Sequence, residues 1–236
     1  MAGKTAGIVE KIKGFLFSPS ETFDASKEDT LGDAFEYYII LLLIHALLSA
    51  LIAEVAFSLF GGSALIVVGA SSPFGRSFGI MLLEFMPALL APAEMSASVP
   101  FIAVIAVFIL YVLTAGAIGV LIGGLWLHIW VYLMDGRKGL TQTFKALMYG
   151  ATPSLLLGWI PEIGSLAVIW GATLSLLAWI SIIGFLASIW ALIVGIISIR
   201  QLHEISTGRA VAAGILAIIP ISLLYLFLSY LYLYSL

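Results

Sequence analysis

The sequence predicts an all-α fold, a polytopic transmembrane bundle of five spans, and three observations predict it. Apolar residues make up 62% of the chain and charged residues 10%, against roughly 45–50% and about 25% in a soluble domain. Two stretches, Pro100–Met134 and Ile163–Ile199, contain no Asp, Glu, Lys or Arg, and each exceeds the roughly 20 residues that cross a hydrocarbon core of about 30 Å. Neither alternates apolar with polar residues, so a transmembrane barrel is excluded. Helices must then satisfy the backbone inside lipid.

Residues 1–36 are expected to form a cytoplasmic segment. Ile8, Ile12 and Phe15/Leu16 fall at helical spacing with Lys4, Lys11 and Lys13 off that face. This predicts an amphipathic helix over 2–17, lying in the headgroup layer or packed against the spans. Ser18-Pro19-Ser20 breaks it, and residues 21–36 read as polar and solvated. The first span is Tyr37–Phe60, closed by Gly61-Gly62. Ser72-Pro73 predicts the start of a second interfacial helix, with Phe74, Phe78, Met81, Phe85 and Leu89 on one face and an end near Pro87–Pro92.

The second span, 100–134, is about 52 Å long if wholly helical, so it must tilt, protrude or break. Asp135-Gly136-Arg137-Lys138-Gly139 is an aqueous turn. The third span, about 141–160, holds Pro153, which predicts a kink, and Pro161-Glu162 is expected to end it. The fourth, 163–199, has surplus length. Residues 163–181 are a half-helix, a re-entrant piece or the start of one long tilted helix, and the sequence leaves these open. Residues 200–209 form the last polar connection, and 210–234 the final span, with Pro220 inside it.

Lys and Arg favour the cytoplasmic side of short loops. With the N-terminus inside and five crossings, Lys4, Lys11, Lys13, Lys27, Arg137, Lys138, Lys145, Arg200 and Arg209 fall inside and Arg76 alone outside. A sixth crossing would move Arg200 and Arg209 out. Five spans with the C-terminus outside is therefore the expected topology. The first strongly apolar run begins too far in, near Tyr37, for a cleavable signal.

Several short blocks carry a family resemblance. They are Phe17-Ser18-Pro19-Ser20-Glu21-Thr22-Phe23; Trp126-Leu127-His128 followed by Gly136 to Thr143-Phe144; Tyr149-Gly150-Ala151-Thr152-Pro153 with Trp159-Ile160-Pro161; and Trp190, Gly195, Leu202-His203 and Ser206-Thr207-Gly208-Arg209-Ala210. In order and spacing they resemble the Yip domain family, the Ypt/Rab-interacting multispan membrane proteins, in its prokaryotic form. The resemblance implies five spans, a cytoplasmic N-terminus and residence in a prokaryotic cell membrane. Eukaryotic members are associated with Rab GTPases, usually through a longer N-terminal region. Residues 1–36 are short for that, and Rab binding is not expected here.

Net charge is −3, so no basic footprint points to nucleic acid, and the absence of cysteine excludes disulfide and thiol chemistry. Glu54 is the one carboxylate clearly inside a span, where a charge is expensive; its alternative is to reach outer headgroups. Glu84 and Glu162 read as solvated at the outer surface. His45, His128 and His203 share no metal-ligand spacing with another ligand. They are read as separate histidines, each bonded to a carbonyl or water; the alternative is that three imidazoles at similar depth bind a metal or pass protons. His203-Glu204 lacks the second histidine of a metalloprotease helix, and neither a GxSxG elbow nor a phosphate-cradling loop is present. No enzymatic activity, cofactor or metal is expected.

Gly119 and Gly123 form a GxxxG step, and Ala187, Ala191 and Gly195 a second small-residue face, both suited to helix packing. The expected function is a non-catalytic adaptor, assembly factor or subunit of a membrane complex, or an organiser of lipid. Its expected partners are membrane lipids and other membrane subunits or a second copy. The alternative is a small transporter or channel, in which Pro153, Pro220 and Glu54 would mark a site at a broken helix.

Overall fold

A computed structural model describes residues 7–60, 101–169, 171 and 173–235, and every regular element among them is helical. The second interfacial helix expected from Ser72 lies outside the described residues.

The N-terminal helix α1 is Ile8–Phe17. The Glu10 carboxylate accepts the Gly7 N–H at 3.1 Å, so an orphan donor at the helix start is satisfied. Ser18 closes α1 through its N–H on the Gly14 carbonyl, and Pro19 opens α2, Pro19–Ala25. Proline suits a first helical position because the missing N–H had no partner there. A 3₁₀ turn, Ser26–Glu28, follows.

Helix α3 is Leu31–Phe60. It starts before the expected Tyr37, because Thr30 and Asp33 form a reciprocal cap. Asp33 Oδ2 accepts the Thr30 N–H at 2.8 Å, and Thr30 Oγ1 accepts the Asp33 N–H at 3.1 Å. The polar stretch read as solvated is thus largely helical.

Helix α4 is Phe101–Leu133. It ends with Asp135 at φ +73°, with the Gly136 N–H on the Val131 carbonyl and the Asp135 N–H on that of Tyr132. That is a Schellman end with a carboxylate residue in the left-handed position usually taken by glycine.

The expected third span is not one kinked helix. It is α5, Leu140–Gly150, then α6, Thr152–Leu157, with α7, Ile160–Ile169, after it. Pro153 and Pro161 each sit at the second residue of a helix, so both open helices where one was expected to kink and the other to terminate. A proline inside a helix would remove a hydrogen bond and clash with the preceding turn; in a first turn it does neither. The surplus length resolves as a break. Gly171 has φ +72°, a backbone region open to glycine without strain, and α8, Leu174–His203, follows it. Helix α8 absorbs Arg200 into its last turn and ends on a second Schellman turn, with Glu204 at φ +55° and the Ile205 N–H on the Arg200 carbonyl. Helix α9 is Thr207–Ser235 and contains Pro220.

Among the described residues, three helical stretches are long and apolar enough to cross a membrane: Leu31–Leu59, Ile105–Leu133 and Leu174–His203. Thr207–Pro220 is a shorter apolar stretch. Their outer faces expose large apolar side chains, among them Leu110, Ile122, Trp179 and Phe185, as a lipid solvent requires.

The chain divides into two compact units. One is drawn from residues 7–34, 119–150 and 193–235, the other from 35–60, 101–118, 151–169, 171 and 173–192. In the first, Phe15 is fully buried between Phe23 and Tyr149, with ring centroids at 4.7 and 4.8 Å. This seats α1 and α2 on α5, which favours the packed reading of the N-terminal helix over a purely interfacial one. In the second, Leu41, Leu42, Ala46, Ala50 and Ala53 line the buried side of α3, and the Tyr38 hydroxyl donates to the Gly116 carbonyl at 3.2 Å.

The glycines of α4 differ in surroundings. A methyl on Gly124 would run into the Phe144 ring, whereas one on Gly119 would meet nothing within 4 Å and one on Gly123 would touch Leu147 at 3.7 Å. Gly124→Ala should therefore destabilise the fold by about 1–3 kcal/mol. Gly119→Ala should leave thermal unfolding in detergent unchanged or slightly raised, since Gly is the poorer helix former. Equal melting shifts for the two variants would contradict this packing.

Candidate functional site

Polar side chains gather in three clusters, two in the first unit and one in the second. In the first unit, Lys11 on α1 donates to Asp29 Oδ2 at 2.7 Å, and the Tyr149 hydroxyl donates to the same oxygen at 2.6 Å. Lys145, although fully buried, satisfies its ammonium on the carbonyls of Lys27 and Asp29 at 2.7 and 2.8 Å. Lys145 was counted with the basic residues of the inner side. It is a strut under the 3₁₀ turn, carried inward by α5.

The second cluster joins two histidines that were read as unrelated. Thr143 on α5 is fully buried, and its Oγ1 lies 2.7 Å from His128 Nδ1 on α4 and 3.0 Å from His203 Nε2 at the end of α8. A hydroxyl has one hydrogen to give, so at most one imidazole accepts from Thr143 and at least one donates to it. The imidazole centroids are 6.5 Å apart, and His203 Nδ1 is buried without a partner among the described residues. Above this cluster the two left-handed carboxylates are braced by bases. Asp135 pairs with Arg209 at 3.1 Å, and Glu204 pairs with Lys138 and, at 3.3 Å, with Lys27. Hydrogen bonds from Lys138 and Lys27 hold the Glu204 carboxyl below its usual range.

The third cluster lies in the second unit. His45 Nδ1 is 3.1 Å from the Leu155 carbonyl oxygen, and the Ser49 hydroxyl donates to Glu162 Oε1 at 3.0 Å. Tyr37 and Thr152 share a hydrogen bond of 2.9 Å between α3 and α6. Glu162 was expected to be solvated; it has no exposure. Because Pro161 opens α7 instead of closing a span, Glu162 falls in the first turn of that helix and meets Ser49 on α3.

Of the other residues singled out in the sequence, Glu54 is 8% exposed, and its Oε2 has no partner among the described residues. Pro153 and Pro161 are structural starts, as described above. Ala187, Ala191 and Gly195 are half-buried on α8. Gly195 lies beside Gly150, where an added methyl would meet its Cα at 3.5 Å. The described residues contain no group of three or more His, Cys, Asp or Glu able to share a metal ion. Sequence reasoning missed Thr143, Ser49, Asp29 and Lys145 as participants. Only Ser49 carried a local signal, one helical turn beyond His45.

Thr143→Val should cost about 1–3 kcal/mol, because it leaves buried imidazole nitrogens facing a methyl group. Thr143→Ser should lose no more than about 1 kcal/mol, the worth of one buried methyl. Chemical unfolding of the two variants in detergent separates them, and a valine variant as stable as wild type would remove the hydroxyl bridge from consideration.

The sequence profile of the Yip1 domain matches residues 13–231. No curated protein and no solved structure matches the chain.

Proposed function

Since the chain belongs to the Yip1 domain family, we propose that it is a non-catalytic integral membrane protein acting as an adaptor, assembly factor or subunit of a membrane complex, through helix and lipid contacts. The observation that carries this reading is the use made of the polar groups inside the helices. His128 and His203 end on Thr143, Tyr37 on Thr152, Tyr38 on the Gly116 carbonyl, and the Trp126 indole on the Ala217 carbonyl at 2.8 Å. Groups spent on tying helices together are not presented to a substrate, which also weighs against a transporter or channel. The outward faces of α4 and α8 remain apolar and suited to lipid or to other transmembrane helices.

The proposed topology has five crossings, N-terminus inside and C-terminus outside: α3, α4, the α5–α7 segment, α8 and α9. Three ion pairs and a hydrogen bond within the first unit support it. Lys27 reaches Glu204, Lys138 reaches Glu204, Arg209 reaches Asp135, and Arg200 donates to Ser20 at 3.1 Å. These contacts support placing the N-terminal segment, the end of α4 and the end of α8 on the one side where basic residues are retained. Helix α9 then leaves that side once more.

Two measurements test the proposal. The chain has no cysteine, so single cysteines can be introduced cleanly. Lys13→Cys and Lys138→Cys should react from the inner face of sealed vesicles and Ser235→Cys from the outer; labelling of Ser235→Cys from the inner face would remove the five-span order. Isolation in lipid nanodiscs should retain a second membrane protein, a second copy or a defined lipid. A bare monomer in mild detergent and in nanodiscs alike would overturn the assembly role.

A further inference from the structure

Helix α1, in the first unit, is held by contacts along one side. Phe15 enters between Phe23 and Tyr149, and Lys11 donates to Asp29 Oδ2 at 2.7 Å and to the Tyr149 hydroxyl at 3.3 Å. A methyl on Gly14 would run into the Thr22 side chain, so α2 closes over the neighbouring flank. The opposite edge carries Val9, Lys13 and Phe17 at four-residue intervals, which stacks them on one face of the helix. All three are exposed, Val9 at 63% and Phe17 at 80%. Glu10 borders this stripe and is turned to the helix start, where it accepts the Gly7 N–H.

Depth decides what such a stripe meets. Asp29, the residue that Lys11 holds, stands two positions before Leu31, the first residue of α3. The apolar stretch Leu31–Leu59 has 29 residues, about 44 Å at 1.5 Å per residue. A bilayer with its headgroup layers is roughly 40–45 Å thick. A span of that length reaches from one headgroup layer to the other, so Leu31 and the adjoining Asp29 stand at headgroup level, with α1 tied beside them. Leu31 is itself 40% exposed, and the outward apolar surface of α3 starts there.

We propose that the Val9–Lys13–Phe17 stripe of α1 is a lipid-contact surface lying in the bilayer interface. Phe17 and Val9 reach below the phosphates, and the Lys13 stem follows them while its ammonium meets phosphate oxygens, as amphipathic side chains do at such a boundary. An exposed side chain at this depth has lipid around it unless another chain displaces the lipid, which commits the stripe to lipid as its occupant. The surface differs from that of a free amphipathic helix. The largest ring, Phe15, is spent on Phe23 and Tyr149, so the fold holds the lipid-facing edge in place before any lipid arrives, and little ordering remains to oppose the contact. The proposal names one lipid contact of the membrane role above and rests on α3 crossing the bilayer.

The experiment uses the full chain in nanodiscs of mixed phosphatidylcholine and phosphatidylglycerol. Single cysteines at Val9→Cys, Lys13→Cys and Phe17→Cys carry a nitroxide, whose relaxation by oxygen and by a water-soluble nickel complex reports depth. Leu47→Cys on the exposed side of α3 serves as the lipid reference and Lys138→Cys in the turn after α4 as the aqueous one. All three α1 positions are exposed, so thermal unfolding should stay at the wild-type value. The oxygen-to-nickel ratio at positions 9 and 17 should be several-fold above that at 138 and approach that at 47, with position 13 between the references. An aqueous ratio at 9 or 17 beside a lipid ratio at 47 would overturn the stripe and leave the crossing of α3 standing; an aqueous ratio at 47 would overturn both. Low accessibility to both reagents at 17, or spin–spin broadening between copies, would mean that protein covers this edge and would overturn the lipid assignment.

Discussion

Lipid supplies no hydrogen bonds, and the architecture follows from that. Backbone groups must be satisfied within the helices, and a polar side chain carried among them is stabilised when another part of the chain supplies its partner. Thr143 illustrates the consequence: one hydroxyl ties α4, α5 and α8 by meeting His128 and His203. Leu155 does the same from the backbone, its carbonyl receiving His45 near the point where α6 runs out. Bonds of this kind contribute specificity of position more than net stability, since apolar faces alone would allow helices to slide and rotate.

At the water-facing end of the first unit the same economy uses charge. Helices α4 and α8 both finish with an acidic residue in the left-handed conformation, at a cost of roughly 1–2 kcal/mol each relative to glycine. Asp135 is met by Arg209 at the start of α9, and Glu204 by Lys138 just after α4 and by Lys27 after α2. Each helix end is therefore braced by a base from another segment. Because the side chains are about half exposed, each bridge alone contributes little; linked through shared carboxylates they fix the order of the segments around the end of the bundle.

The existence of the long helices was legible from the sequence, because uncharged runs such as Pro100–Met134 leave no other structure viable in lipid. Their limits were less so. Asp33 and Glu36 made the first turns of α3 look solvated, although Asp33 is there to cap. Pro153 and Pro161 mark helix boundaries in either direction, and only packing decides whether a proline closes one helix or opens the next. The family resemblance read from blocks such as Tyr149 to Pro153 agrees with the Yip1 domain match. The clusters were hidden for a different reason. His128, Thr143 and His203 lie far apart in the chain, so only the folded bundle brings one hydroxyl between two imidazoles. Glu162 was misplaced because its depth depends on what α7 does after Pro161.

The subdivision of residues 140–169 has a consequence for how its parts are positioned. Helices α5, α6 and α7 hold eleven, six and ten residues, each short of the roughly 20 that partition into a bilayer unaided. Helices α6 and α7 meet α3 through Tyr37, His45 and Ser49, so short helices of this kind take their position from a long neighbour instead of from their own length.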